Sequence, residues 1–104
     1  MQIEIVGDGV EIDAFARSFV RTAVAFATWH HEEPMDRARV VAKRVRSGIR
    51  CSVGVARGAG AWVCETATAD ALPEAVQSAC DRLEVALHRE IAQRSTATGA
   101  RFAA

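Results

Sequence analysis

Arg50-Cys51-Ser52-Val53-Gly54-Val55-Ala56-Arg57, followed at once by Gly58-Ala59-Gly60, is the stretch that decides the fold. Cys51, Val53 and Val55 alternate with Arg50, Ser52, Gly54 and Ala56, the period-two pattern of a strand with one buried face. The glycines that follow permit the positive φ angles of a hairpin, so a further strand is expected over Ala61 to Ala67. On the other side, Ser47-Gly48 supplies turn chemistry, and the valine-rich stretch from Asp36 to Arg46 is expected as another strand. Three consecutive strands with two short connections read as an antiparallel meander.

Working outward, Met1 to Val6 sets Ile3 and Ile5 against Gln2 and Glu4, again a strand, broken by Gly7-Asp8-Gly9. Asp13 is a good N-cap. Phe15, Ala16, Phe19, Val20, Ala23, Phe26 and Ala27 recur at three- and four-residue spacing, which predicts a helix to about Trp29 with those residues buried. Pro34 ends the segment His30-His31-Glu32-Glu33, because the residue before a proline avoids helical geometry. After the meander, Asp70 opens a second helix that tolerates Pro73 in its first turn. Leu72, Val76, Ala79, Cys80, Leu83, Leu87 and Ile91 give it an apolar face as far as about Arg94. Ser95 to Ala104 read as a flexible tail. The order is β-α-β-β-β-α. It predicts one α+β domain over residues 1–94, a four-stranded sheet with two helices packed on one face.

Composition narrows the function classes. Uncharged stretches such as Thr22 to Trp29 fall far short of the roughly 18 residues of a membrane span. Met1-Gln2-Ile3-Glu4 lacks the basic start and apolar core of a secretory signal, so a cytoplasmic protein without a membrane partner is expected. Cys51, Cys64 and Cys80 are odd in number and too widely spaced for a zinc ribbon or redox pair; reduced, buried thiols are expected. His30-His31-Glu32-Glu33 has ligand residue types, but adjacent histidines diverge and no further ligand stands at the right spacing, so no metal is expected. No Gly-x-Ser-x-Gly elbow, His-Glu-x-x-His or Cys–His arrangement occurs, so no catalytic residue, cofactor or small-molecule substrate is expected. Formal net charge is zero, yet the charges are segregated. Arg37, Arg39, Lys43, Arg44, Arg46, Arg50 and Arg57 occur between Arg37 and Cys64 without one acidic residue, which permits a strongly positive local field.

Met1-Gln2-Ile3-Glu4-Ile5 with Gly7, then Val10-Glu11-Ile12-Asp13 with Arg17, Phe19 and Val20, resemble the opening strand and first helix of the ribosome hibernation-promoting factors. This family is also called the sigma-factor modulation proteins. Ala75-Val76 and Asp81-Arg82-Leu83-Glu84 with Leu87 resemble its last helix, and the likeness runs over about residues 1 to 94. It implies a short, diverged form with a fold similar to a double-stranded RNA-binding domain. It further implies a protein that binds the small ribosomal subunit and its ribosomal RNA near the decoding region and holds ribosomes inactive under stress. Family members contact RNA mainly through basic residues of the two helices. Where they usually carry first-helix lysines this chain has Ala23 and Phe26, and Val85 stands where an arginine is common.

That resemblance makes Arg17, Arg21, Arg82 and Arg89 candidates for ribosomal RNA, gathered from both helices into one footprint by the shared sheet face. Lys43, Arg44, Arg46, Arg50 and Arg57 form a second candidate patch on the hairpins, although alternation sends neighbours to opposite faces. The bland alternatives are a solvated helix face and charges that blunt sheet edges. Trp29 and Trp62 read as core or core-rim residues, with Trp62 also placed to stack on a base. The rival reading is a module of the same fold that has lost RNA affinity and instead binds a protein or a second copy of itself. Its apolar patch would be built on Val24 and Val85.

Overall fold

The meander around Cys51, Val53 and Val55 forms the greater part of a four-stranded sheet. The computed structural model describes residues 1–29 and 35–103, with side chains through residue 90 of the last helix. Its elements are β1 (Gln2–Asp8), α1 (Ala14–Thr28), β2 (Arg37–Val45), β3 (Gly48–Ala56), β4 (Val63–Ala69) and α2 (Leu72–Ala103). The sheet order is β1-β2-β3-β4, with β1 parallel to β2 and the other pairs antiparallel. This is the α+β architecture expected from the sequence. The four-stranded sheet and the two helices occur in the order β-α-β-β-β-α.

Register fixes which side chains share a face. Ala38, Val40 and Ala42 of β2 stand opposite Val55, Val53 and Cys51 of β3, and Cys51 stands opposite Ala67 of β4. All of these are buried in one cluster with Val20, Val24 and Ala27 of α1 and Ala75, Val76, Ala79, Cys80, Leu83 and Leu87 of α2. Both helices therefore cover the same side of the sheet, and among the described residues no element covers the other. Asp13 caps α1 as read, accepting a hydrogen bond from the Ala16 amide at 2.7 Å. The β3–β4 hairpin turns at Gly58 with φ +54°, the left-handed region in which glycine is least strained.

Four local expectations are corrected. The buried stripe of α1 centres on Val20, Val24 and Ala27, so Phe15 is 76% exposed and Phe26 70% exposed while Val24 is fully buried. Apolar residues occupy so much of this helix's circumference that periodicity alone leaves its rotation open; packing chooses the smaller side chains Val20, Val24 and Ala27 for the cluster shared with the sheet and α2. Val24 is consequently no part of a surface patch. The strand after the hairpin begins at Val63 rather than Ala61, because residues 57–62 are used in crossing back to the position opposite Val55. The backbone of α2 continues past Arg94 to Ala103, through a segment free of proline. Finally, Cys64 is exposed, unlike Cys51 and Cys80, since it falls on the uncovered face. The His30-His31-Glu32-Glu33 segment lies outside the described residues.

Candidate nucleic-acid interface

The helix arginines do not converge. Helices α1 and α2 meet along a groove lined by Phe19, Ala23 and Phe26 on one side and Gln77, Asp81 and Glu84 on the other. At 100° per residue, Arg17 and Arg21 lie roughly 120–160° around α1 from Phe19 and Ala23, on the flank turned away from α2. Arg82 and Arg89 line a separate depression with Glu65 and Val85, on the β4 side of α2. Arg82 also donates to the Thr66 carbonyl at 2.7 Å, so part of its hydrogen-bonding capacity serves the outer edge of β4. The two arginine pairs thus stand on opposite outer flanks of the helical layer, with Asp81 and Glu84 between them. The expectation of one helical footprint is corrected: each helix was rotated by its own packing stripe, and neither rotation brings the cations together.

The hairpin candidates also separate, as alternation requires. Lys43 and Arg50 are register partners and both are exposed on the uncovered face. Arg46 lies in the turn at the same end. Arg44 points to the other side and donates its Nε–H to the Gly9 carbonyl at 3.2 Å, tying the end of β1 to β2. Arg57 is half-buried at the opposite end of β3, beside Met35, Ala61 and Glu90. Lys43, Arg46 and Arg50 therefore share one region, and Arg44 and Arg57 do not.

Reading the register along the uncovered face adds two cations of the acid-free stretch that were not among the candidate site residues. Arg37, Arg39 and Lys43 alternate along β2 with Val41 between them, so all three point the same way. The carboxylates beside them are Glu4 and Asp8 of β1, in register with Arg39 and Lys43. Arg39 Nε lies 3.8 Å from Glu4 Oε2; both side chains are more than half exposed, so the pair contributes little stability. Four bases against two acids leave this face net positive, whereas α2 over its described side chains carries Glu74, Asp81, Glu84 and Glu90 against Arg82 and Arg89. Among the described residues, Arg37, Arg39, Lys43 and Arg50 give the uncovered sheet face a continuous cationic stretch.

At one end of that face Trp62 lies across the strands. Its ring is 43% exposed, and the Arg37 guanidinium sits 5.0 Å from the ring centroid. Gly54 makes this possible: a Cβ there would lie 2.8 Å from Cys64 Sγ and 3.3 Å from Trp62 Cε3. Arg37 also donates to the Gly58 carbonyl, and the Gly58 amide donates to Asp36, so the hairpin that precedes Trp62 is fastened to the start of β2. Arg39, Val41, Ser52, Gly54, Trp62 and Cys64 line a shallow depression. Beside it the Ser52 and Thr66 hydroxyls are 3.0 Å apart. Trp29 is likewise exposed, at the end of α1, so the core or core-rim position read for both tryptophans is corrected: neither packs against the core, and Trp62 lies on the uncovered face.

Burial pushes the Cys51 thiol up to about 11. It pushes the Cys80 thiol up to about 12, with smaller contributions from Cys51 and Asp81. Neither is therefore a nucleophile near neutrality. Among the described residues no group of three or more His, Cys, Asp or Glu side chains is placed to hold a metal, and no helix is long and apolar enough to cross a membrane.

The chain is an α+β domain of β-α-β-β-β-α order with a cationic sheet face. No family model and no curated protein sequence matches the chain. Among solved structures it is similar to the N-terminal domain of Protein Y from Thermus thermophilus, with TM-score 0.74 and 26% identity over 86% of this chain and 98% of that one. It also shares the fold of a ribosomal subunit interface protein from Coxiella burnetii, with TM-score 0.77 and 18% identity over 88% of this chain and 99% of that one. Both are proteins of the hibernation-promoting factor family, and the likeness read from the first strand and the two helices is borne out.

Proposed function

We propose that this chain is a cytoplasmic, ribosome-associated translation regulator. It binds the small ribosomal subunit near the decoding region and holds ribosomes inactive under stress by occupying space rather than by catalysis. The observation that carries the reading is the likeness in fold and sequence to the Protein Y N-terminal domain along nearly the whole of that domain. The binding unit is residues 1–94, with residues 95–104 outside it. Of the nine candidate cations, Lys43, Arg46 and Arg50 supply the attraction to ribosomal RNA from the hairpin end of the sheet, and the helix arginines lie outside this footprint. Co-sedimentation of the full chain with small subunits across a salt series tests the proposal. Three phosphate contacts give log K falling against log salt with a slope of about −2 to −3. Absence of binding at low salt refutes it.

A second reading has its own observation. Phe15 and Phe26 are exposed on α1, and Asp81 and Glu84 line the groove between the helices beside Phe26. That surface suits a basic, amphipathic protein segment or a second copy better than it suits RNA. Size-exclusion chromatography with light scattering separates the readings. The ribosome reading expects a monomer, and a dimer dispersed by Phe26→Asp favours the interaction module.

A further inference from the structure

We infer that the depression around Trp62 on the uncovered sheet face is a binding site for an unpaired nucleotide of a single RNA strand. The base rests against the Trp62 ring and the adjoining phosphates lie along Arg39 and Lys43. The site deepens the ribosome reading and rests on it for the choice of RNA as ligand, but its residues Arg37, Arg39, Ser52 and Trp62 are not those named by the family likeness.

Three features carry it. The first is a large, partly exposed aromatic side chain whose benzo edge rests over Gly54 and whose ring carries the Arg37 guanidinium beside it, leaving the exposed part of the ring for a base. Trp62 is kept there by the missing side chain at Gly54 and by the fastening of its hairpin through Arg37 and Asp36, so little ordering remains to be done when a ligand arrives. The second is charge. Arg39 and Lys43 lie about 13 Å apart on the same face of β2 and are joined by Arg50 across the sheet, a track for a backbone that carries one negative charge per nucleotide. The third is the lining. The Ser52 and Thr66 hydroxyls both donate and accept, and they lie beside the ring where the edge of a stacked base or a ribose hydroxyl would fall. An acidic peptide would use the cations but leave the ring and the hydroxyl pair without purpose. A paired duplex would present no free base face to Trp62.

The test uses Trp29→Phe protein, so that fluorescence reports Trp62 alone. It is titrated at low salt with a single-stranded oligouridylate and with the same strand annealed to its complement. The expected result is saturable quenching by the single strand, with the duplex at least about tenfold weaker, the size of one stacked base. Arg39→Glu weakens the quenching at least about tenfold, while the charge-matched Arg17→Glu, on the far side of the molecule, changes it less than about twofold. No quenching by the single strand, or equal losses from Arg39→Glu and Arg17→Glu, overturns the inference. A second arm pellets Arg39→Glu and Trp62→Leu proteins with small ribosomal subunits. Pelleting equal to that of the unaltered chain overturns the site and leaves the ribosome reading standing. Quenching by the oligonucleotide without any pelleting of the unaltered chain overturns the ribosome reading and leaves the site.

Discussion

Replacing Gly54 with alanine isolates the contact that seats Trp62. Gly54 lies within β3 and is not among the glycines of positive φ, which are Gly9, Gly48 and Gly58. Alanine is therefore compatible with its backbone and, by restricting the unfolded chain, would on its own stabilise by about 0.4–1 kcal/mol. Against that stands a Cβ placed 2.8 Å from Cys64 Sγ, 3.3 Å from Trp62 Cε3 and 3.8 Å from Cζ3. The first distance demands movement, and crowding of this kind costs about 1–3 kcal/mol. The expected net loss is about 1–2 kcal/mol, a fall in Tm of roughly 5–10 °C for a domain of this size. Cys64→Ala removes the nearest atom and leaves only the indole edge, which has to give by a few tenths of an ångström. In that background Gly54→Ala should cost less than about 0.5 kcal/mol or become stabilising. Urea unfolding of the four proteins, followed by far-ultraviolet circular dichroism, supplies the comparison. An equal loss in both backgrounds, or a gain in the unaltered one, would show that Cys64 and Trp62 do not close over Gly54 as described.

The rotation of α1 is tested by Val24→Ala, expected to cost about 2 kcal/mol because the side chain is fully buried, against Phe26→Ala, expected within about 0.5 kcal/mol; reversed costs would restore the phenylalanine face to the core. Native protein should react with a thiol reagent rapidly at Cys64 alone, and at all three cysteines once unfolded. Because Cys51 and Cys80 are held above the ordinary thiol value of 9.0, their stabilising preference for the protonated form is complete below about pH 9 and is lost as pH rises through 11 and 12. Each contributes a slope of about 1.4 kcal/mol per pH unit between those limits, so Cys80→Ala should flatten the fall in urea midpoint between pH 10 and 11.

The parts of the molecule set by local chemistry were legible in the sequence. Asp13 announces its helix because a carboxylate can satisfy an amide that the first turn leaves bare. Cys51, Val53 and Val55 announce a buried strand because side chains alternate. What escaped was whatever depends on how elements are turned against one another. Phe15 and Val24 are equally apolar on paper, and only packing against the sheet and α2 decides which is buried. The same rotation sends Arg17 and Arg21 away from Arg82 and Arg89, so four arginines at plausible positions fail to make one surface. On the sheet, alternation alone places Arg37 and Arg39 with Lys43. The seat of Trp62 over Gly54, however, arises from the pairing of β3 with β4, and nothing in either segment by itself records it.

The placement of β1 has a consequence for assembly. Strands β2, β3 and β4 are neighbours in the chain, whereas β1 reaches β2 only after α1 has been laid down as the crossover between them. Closing the longer loop costs more entropy, which favours a meander that forms first and offers the bare edge of β2 to whichever strand arrives. At high concentration that strand can belong to a different molecule. Exchange of the first seven-residue strand between copies is then the misassembly to which this topology is prone.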